Sequence, residues 1–288
     1  MMHLKLFIDL TRLKKPIGFM LLFWPCAWGL TLAYDFSLSL NNYFFYLTLF
    51  FLGSVLMRSA GCIVNDILDK EFDAKVFRTK NRPIASGKIS IKVAIFYSLV
   101  LCFLALLILL NFNFLTIILA LGSMPLAFTY PLMKRFTYWP QLFLGITFNY
   151  GLILGWTAIE GHLDLAPIIF YLGAIFWTLG YDTIYGYQDI RDDEIIGLKS
   201  TSIKFKGKAK KFLIMSYSLL IILFSIGGYF MKFDPKYYFI LFIPFMHLFF
   251  YQIRNLNLKN PTSCLKIFKS NNIFGFIIFL NILIAKNL

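Results

Sequence analysis

Apolar residues run along this chain in nine long stretches without alternation, near residues 17–34, 43–65, 91–110, 112–130, 139–158, 165–187, 212–231, 237–253 and 272–285. A transmembrane helix needs about 20 such residues to cross the hydrocarbon core, whereas a membrane barrel is built from ~10-residue segments of alternating polarity. The pattern therefore predicts an all-α polytopic membrane bundle of about nine transmembrane helices, forming one integral-membrane domain over residues 1–288. Pro25, Pro125, Pro244 and Gly145 fall inside spans, where neighbouring helices can satisfy the backbone groups that a break sets free. The first span is long for the core of a cleavable signal, Thr31-Leu32-Ala33 is a poor cleavage site, and eight spans follow, so it is expected to be retained. No transit or lipidation signal stands out.

Composition narrows the class. With 59% hydrophobic and 15% charged residues, the chain lacks the polar surface of a soluble domain, which runs ~45–50% apolar and ~25% charged. The net charge of +14 raises the question of nucleic acid, and the placement of Lys and Arg answers it. The N-terminal segment holds four, residues 66–90 six, 131–138 two, 188–211 seven and 254–270 four, while the loops between them and the C-terminus hold none, none, none, two and one. This bias predicts a cytoplasmic N-terminus and, with nine spans, an external C-terminus; the membrane expected is a bacterial inner membrane. Topology and anionic lipid account for the basic excess, and no nucleic-acid partner is expected. Cys26, Cys62, Cys102 and Cys264 form no CxxC pair, and His3, His162 and His247 are isolated, so neither zinc nor haem is expected.

The acidic residues are the informative ones. Of 14 Asp and Glu, nine lie in two clusters: Asp66, Asp69, Glu71 and Asp73, then Asp182, Asp189, Asp192, Asp193 and Glu194. Both follow spans that run from outside to inside, so both belong to the cytoplasmic side and can face one another. Asn65, Asp69 and Asp73 recur every four residues and share a helix face, with Arg58 two turns deeper. Asp182, Asp189 and Asp193 repeat the seven-then-four spacing of Arg58, Asn65 and Asp69, a weak internal repeat. Basic loops follow each cluster, with Arg78, Lys80 and Arg82 after the first and Lys199, Lys204 and Lys206 after the second. Orientation requires cytoplasmic Lys and Arg but makes no such demand for Asp. Hard oxygen donors without His or Cys favour Mg²⁺, which keeps waters and bridges to phosphate. The pattern predicts a cytoplasm-facing, Asp-rich cavity with a dinuclear clamp for a diphosphate leaving group, and hence a membrane enzyme acting on lipid diphosphates.

The segment NDILDKEFDAKVFRTKNRPIASGKIS resembles the first Asp-rich motif of the UbiA superfamily of intramembrane prenyltransferases, and YDTIYGYQDIRDDEIIGLKSTSI resembles its second. RLKKPIGFMLLFWPCAWGL and YPLMKRFTYWPQ are similar to its N-terminal and middle signatures, in the expected order, so the resemblance covers about Arg12 to Ile203. The wording of each motif is most like the branch that prenylates 4-hydroxybenzoate in ubiquinone biosynthesis. The resemblance implies that Asn65, Asp66, Asp69, Asp73, Asp189 and Asp193 hold two Mg²⁺ ions, and through them a polyprenyl diphosphate. Tyr130 and Lys134 would contact the diphosphate with Arg58 and Lys199; Lys134 alone would read as a snorkelling anchor, which its place beside Tyr130 in a matched motif outweighs, and the alternative for Arg58 is structural pairing with an Asp. Asp182 would orient the phenol hydroxyl of the acceptor; Arg135 and Arg12 are alternatives for its carboxylate, or simply anchor helix ends.

The reaction so implied ionises the allylic carbon–oxygen bond, shields the cation among Phe and Leu, and joins it to the ring carbon ortho to the hydroxyl. A tail too long for a closed cavity would leave through a side opening between spans. Menaquinone, homogentisate and haem prenyltransferases or lipid-headgroup transferases would share the metal site, and the rival from another class is an ion-coupled transporter, which the one-sided placement of the acids disfavours. Residues 204–288 carry no readable motif beyond three spans, and no protein partner is implied.

Overall fold

The computed structural model describes residues 2–287, with side chains from Leu4 onward, so the His3 side chain lies outside the described residues. Every described regular element is helical. A short helix that the apolar pattern did not reveal, α1 (Met2–Thr11), precedes α2 (Ile17–Ala33), α3 (Leu40–Leu68), α4 (Ile91–Leu109), α5 (Phe114–Thr129), α6 (Pro140–Glu160), α7 (Leu165–Gly186), α8 (Ala209–Phe230), α9 (Lys236–Met246) and α10 (Pro261–Lys286). Seven stretches, α3 to α8 and α10, are long and apolar enough to cross a membrane by length and composition, α5 being counted through its extension to Phe136. The chain is thus an integral, multi-pass membrane protein. The two other predicted spans are also helical: α2 has only 17 residues, and α9 reaches its expected length by running on as a π-helix over His247–Ile253.

Differences from the predicted boundaries have physical reasons. The last helix begins at Pro261, not at 272, because Asn260 caps it by accepting from Thr262 N and Ser263 N, and proline suits the first helical position. Lys266 and Lys269, counted as loop residues, therefore sit on its first turns. At 29 residues α3 is about 43 Å long, against a hydrocarbon core of ~30 Å, so its C-terminal turns reach the interface.

Close helix contact sets the centre of the bundle. A Cβ at Gly29 would run into the Leu152 carbonyl, and one at Gly155 would meet Cys26 O and Leu30 N, so α2 and α6 touch backbone to backbone. Around this seam pack Trp28, Trp177, Phe224 and Phe274, all buried. Cys26, Cys62 and Cys264 are buried too and Cys102 partly so, as small core residues. The polar edges of the aromatic rings are satisfied from α10: Trp28 Nε1 donates to Gly275 O at 2.9 Å and Trp177 Nε1 to Asn271 Oδ1 at 2.8 Å. Gln252 Nε2 donates to the same Asn271 oxygen at 3.1 Å, while Gln252 Oε1 accepts from Tyr217 OH at 2.8 Å. Asn271→Leu strands two buried donors and should cost about 2–3 kcal/mol, read as a lower midpoint of thermal unfolding in detergent; an unchanged midpoint would show the network to be energetically idle.

Candidate active site at the ends of α3 and α7

Each Asp-rich segment is built in the same way. A long span stops, and one Asp at the break starts a short helix: Asp69 before Lys70–Asp73 and Asp189 before Ile190–Ile195. Their backbones nearly coincide, with φ −98°, ψ 7° at Asp69 and φ −114°, ψ 6° at Asp189, which gives the weak repeat read from spacing a structural counterpart. Asp69 N still donates to Asn65 O and Asp73 N to Asp69 O, so the four-residue stripe keeps its helical register through the break.

Asp66, Asp69 and Asp73 are only 2%, 1% and 7% exposed. Carboxylates so buried are costly unless paired, and cations from three other segments meet them. Arg12 Nη2 lies 2.5 Å from Asp66 Oδ1, and Arg82 Nη1 reaches the same oxygen at 3.1 Å and Asp73 Oδ2 at 2.6 Å. Lys134 Nζ pairs with Asp69 Oδ2. Asp69 Oδ1 is buried with no hydrogen-bond partner, and Arg135 Nη2 stays 3.7 Å away from it. The first motif thus keeps one oxygen of each carboxylate on a cation and leaves the other free of any side-chain bond.

The second motif joins the first through loop residues that spacing alone did not single out. Arg78 Nε donates to Asp189 Oδ1 at 2.7 Å and Oδ2 at 3.0 Å, its Nη2 also contacts Oδ2, and its Nη1 donates to Tyr185 OH at 3.3 Å. Phe77 N donates to Asp192 Oδ2 at 3.1 Å. The loop after the first cluster therefore contacts the second cluster directly. Asp193 forms no ion pair among the described residues, and burial followed by the like charge of Asp189 pushes its carboxyl up to about 7. No three His, Cys, Asp or Glu side chains among the described residues converge as a ready-made cage.

The remaining candidates are placed as follows. Tyr130 opens a 3₁₀ turn, Tyr130–Leu132, and Lys134 follows on the short helix Met133–Phe136. Arg58 lies against α2 with its Cζ 5.1 Å from the Phe148 ring centroid; its Nε is buried without a partner, and a Cβ at Gly18 would sit 2.9 Å from it. Neither Asn65 nor Asp182 has a side-chain hydrogen bond among the described residues. Arg135 Nη2 donates to Leu68 O at 2.6 Å and its guanidinium stands over Phe72, at the end of α3. Lys199 is turned away from the carboxylates: its backbone N donates to Lys134 O and its Nζ to Phe136 O at 3.2 Å.

A family model described as the UbiA prenyltransferase family matches residues 22–282. The mitochondrial 4-hydroxybenzoate polyprenyltransferase of Drosophila pseudoobscura pseudoobscura is 43% identical over 282 residues, covering 98% of this chain and 70% of that protein. Its Homo sapiens counterpart is 43% identical over 281 residues, covering 97% and 75%. Among solved structures, a UbiA homolog from Archaeoglobus fulgidus bound to GPP and Mg2+ superposes with a TM-score of 0.74 at 18% identity, over 98% of this chain and 100% of that one. The apo structure of a UbiA homolog from Aeropyrum pernix K1 gives 0.72 at 22% identity, over 92% and 97%. These two share the fold.

Proposed function

This chain belongs to the UbiA prenyltransferase family, and from that premise we propose that it transfers a polyprenyl group from polyprenyl diphosphate to the ring carbon of 4-hydroxybenzoate ortho to the hydroxyl. The products are 3-polyprenyl-4-hydroxybenzoate and diphosphate, a step of ubiquinone biosynthesis. The observation that carries the reading is identity of 43% over 98% of the chain to a protein named for that activity. Membership in a transferase family leaves the ion-coupled transporter without support.

Asn65, Asp66, Asp69, Asp73, Asp189 and Asp193 are the residues that would hold Mg²⁺. The donor set fits such a group: all are hard oxygen ligands, and the buried, unpartnered Asp69 Oδ1 is the kind of atom a cation satisfies. When bound, Mg²⁺ supplies Lewis-acid stabilisation of charge on the departing diphosphate. Lys134 and Arg82, already at the carboxylates, add positive charge at the same mouth, and Tyr130 stands one turn from Lys134 to donate a hydrogen bond. Breaking the allylic C–O bond sends its electron pair to diphosphate; the aromatic carbon attacks the allylic cation, and loss of the ring proton restores aromaticity. Asp182 is free to orient the acceptor hydroxyl. Arg58 faces the ring of Phe148 in the same interior, with a buried Nε available to an anion. Of the two alternatives for the acceptor carboxylate, Arg12 is held by Asp66 and Arg135 by the Leu68 carbonyl.

The membrane proposed is a bacterial inner membrane with the charged mouth in the cytoplasm. Loop charge supports this orientation; the curated relatives above are named mitochondrial. The decisive assay supplies membranes containing the protein with labelled prenyl diphosphate, Mg²⁺ and 4-hydroxybenzoate. Labelled prenyl-hydroxybenzoate that vanishes with EDTA is expected. Diphosphate release with transfer only to another acceptor would overturn the acceptor and keep the site.

A further inference from the structure

Among the five aspartates proposed as metal ligands, one differs in how its oxygens are used. Asp66, Asp69 and Asp73 each give one oxygen to a cation and keep the other, and Asp193 keeps both. Asp189 has both oxygens taken, by a single guanidinium: Arg78 Nε reaches Oδ1 and Oδ2, and Nη2 reaches Oδ2. The other contacts of this guanidinium are the hydroxyl and ring of Tyr185, one turn before Asp189, with Arg78 Cζ 5.5 Å from the ring centroid. Arg78 belongs to the loop after the first motif, so this pair is the main side-chain tie between the two halves of the mouth.

We propose that Arg78 is a displaceable clasp on Asp189, so that the second motif accepts a divalent ion only as the guanidinium is drawn off to an anion arriving at the mouth. This rests on the metal-site reading above. A fork of two parallel donors satisfies a carboxylate well and competes directly with a cation for the same lone pairs. At 39% exposure, however, the Arg78 side chain is only partly desolvated, which keeps the pair breakable. No such competition exists at the first motif, where each Asp has an oxygen to spare. Arg78 is accordingly a positioning residue, and its signature is coupling: divalent-ion binding at the second motif should depend on a diphosphate, while binding at the first should not. By linkage, the ion and the anion must favour each other by the same factor.

The test is a titration of the full chain in detergent with Mn²⁺, following the free-ion EPR signal at matched free Mn²⁺, with and without inorganic pyrophosphate. In the wild type, pyrophosphate should tighten the weaker Mn²⁺ site by about tenfold, a typical coupling. Arg78→Met should fill that site without pyrophosphate and lose most of the gain, and Arg78→Lys, which keeps charge but not the fork, should fall between them. Arg78 is a half-exposed loop residue, and thermal unfolding checks that each variant is folded. Weaker or unchanged Mn²⁺ binding in Arg78→Met overturns the clasp. With pyrophosphate present, Asp189→Asn separates the two ideas: if it binds Mn²⁺ as the wild type does, the metal-site reading itself fails; if it loses one ion while Arg78→Met behaves as wild type, only the clasp fails.

Discussion

Asp69→Asn and Asp189→Asn should each lower prenyl transfer by about a hundredfold or more, since each removes one anionic ligand from a site whose work is to stabilise charge on a departing diphosphate. The changes are nearly isosteric, so shape is preserved. At Asp69 the loss falls on an oxygen that has no hydrogen-bond partner and on another that holds Lys134. At Asp189 it falls on the carboxylate that Arg78 grips. The amide oxygen of Asn can still accept from Lys134 or Arg78 at these largely buried positions, so protein yield and unfolding midpoint should stay near wild type while initial rates collapse. Initial rates in reconstituted membranes, with unfolding followed on the same samples, decide the matter. Full turnover in either variant would remove the Asp stripes from the chemistry.

Gly155→Val is expected to be as severe in a different way. The added carbons would lie where Cys26 O and Leu30 N now sit, and the first carbon alone already collides with backbone rather than a movable side chain. Separating α2 from α6 exposes a seam that carries Trp28 and the aromatic cluster behind it, and overpacking of this kind costs about 3 kcal/mol or more. Little monodisperse protein should survive extraction. Gly53→Ala is the matched control, because nothing lies within 4 Å of a Cβ there, and helix propensity favours Ala by ~1 kcal/mol. A well-folded Gly155→Val protein would mean that the helices slide apart without penalty.

Much of this was readable in advance because membrane helices announce themselves by length and because acids are scarce. The Asn65, Asp69 and Asp73 stripe needed only the helical repeat, and the cytoplasmic placement of both clusters needed only the loop cations. The rest depends on distance in space, which sequence separation does not carry. Arg78 stood out as one cation in a basic loop, yet its partner is 111 residues away. The resemblance sets Lys199 among the diphosphate-binding residues, and in the fold its Nζ donates to the Phe136 carbonyl. Helix α1 is too short and too mixed in character to register as a span, although Leu10 is fully buried in a cluster with Ala60 and Ile63. The early start of α10 does carry a local signal, Asn260 followed by Pro261, which lies outside any apolar run. The π-helical continuation of α9 has no such signal.

Burial is unevenly shared among the spans. In α4 and α5 only 22% of the most apolar window is buried within the protein, against 61% in α7. The outward positions of α4, such as Phe96, Leu99 and Phe103, are exposed, and across a bilayer such positions are turned to lipid. Any apolar side chain satisfies that requirement, so these two helices carry a thin share of the information that specifies the protein. A saturation library scored for accumulation and turnover should show it as a divided map: free exchange among Leu, Ile, Phe and Val along the outer face of α4, and near-silence for change along α7, where both neighbours and chemistry constrain each position.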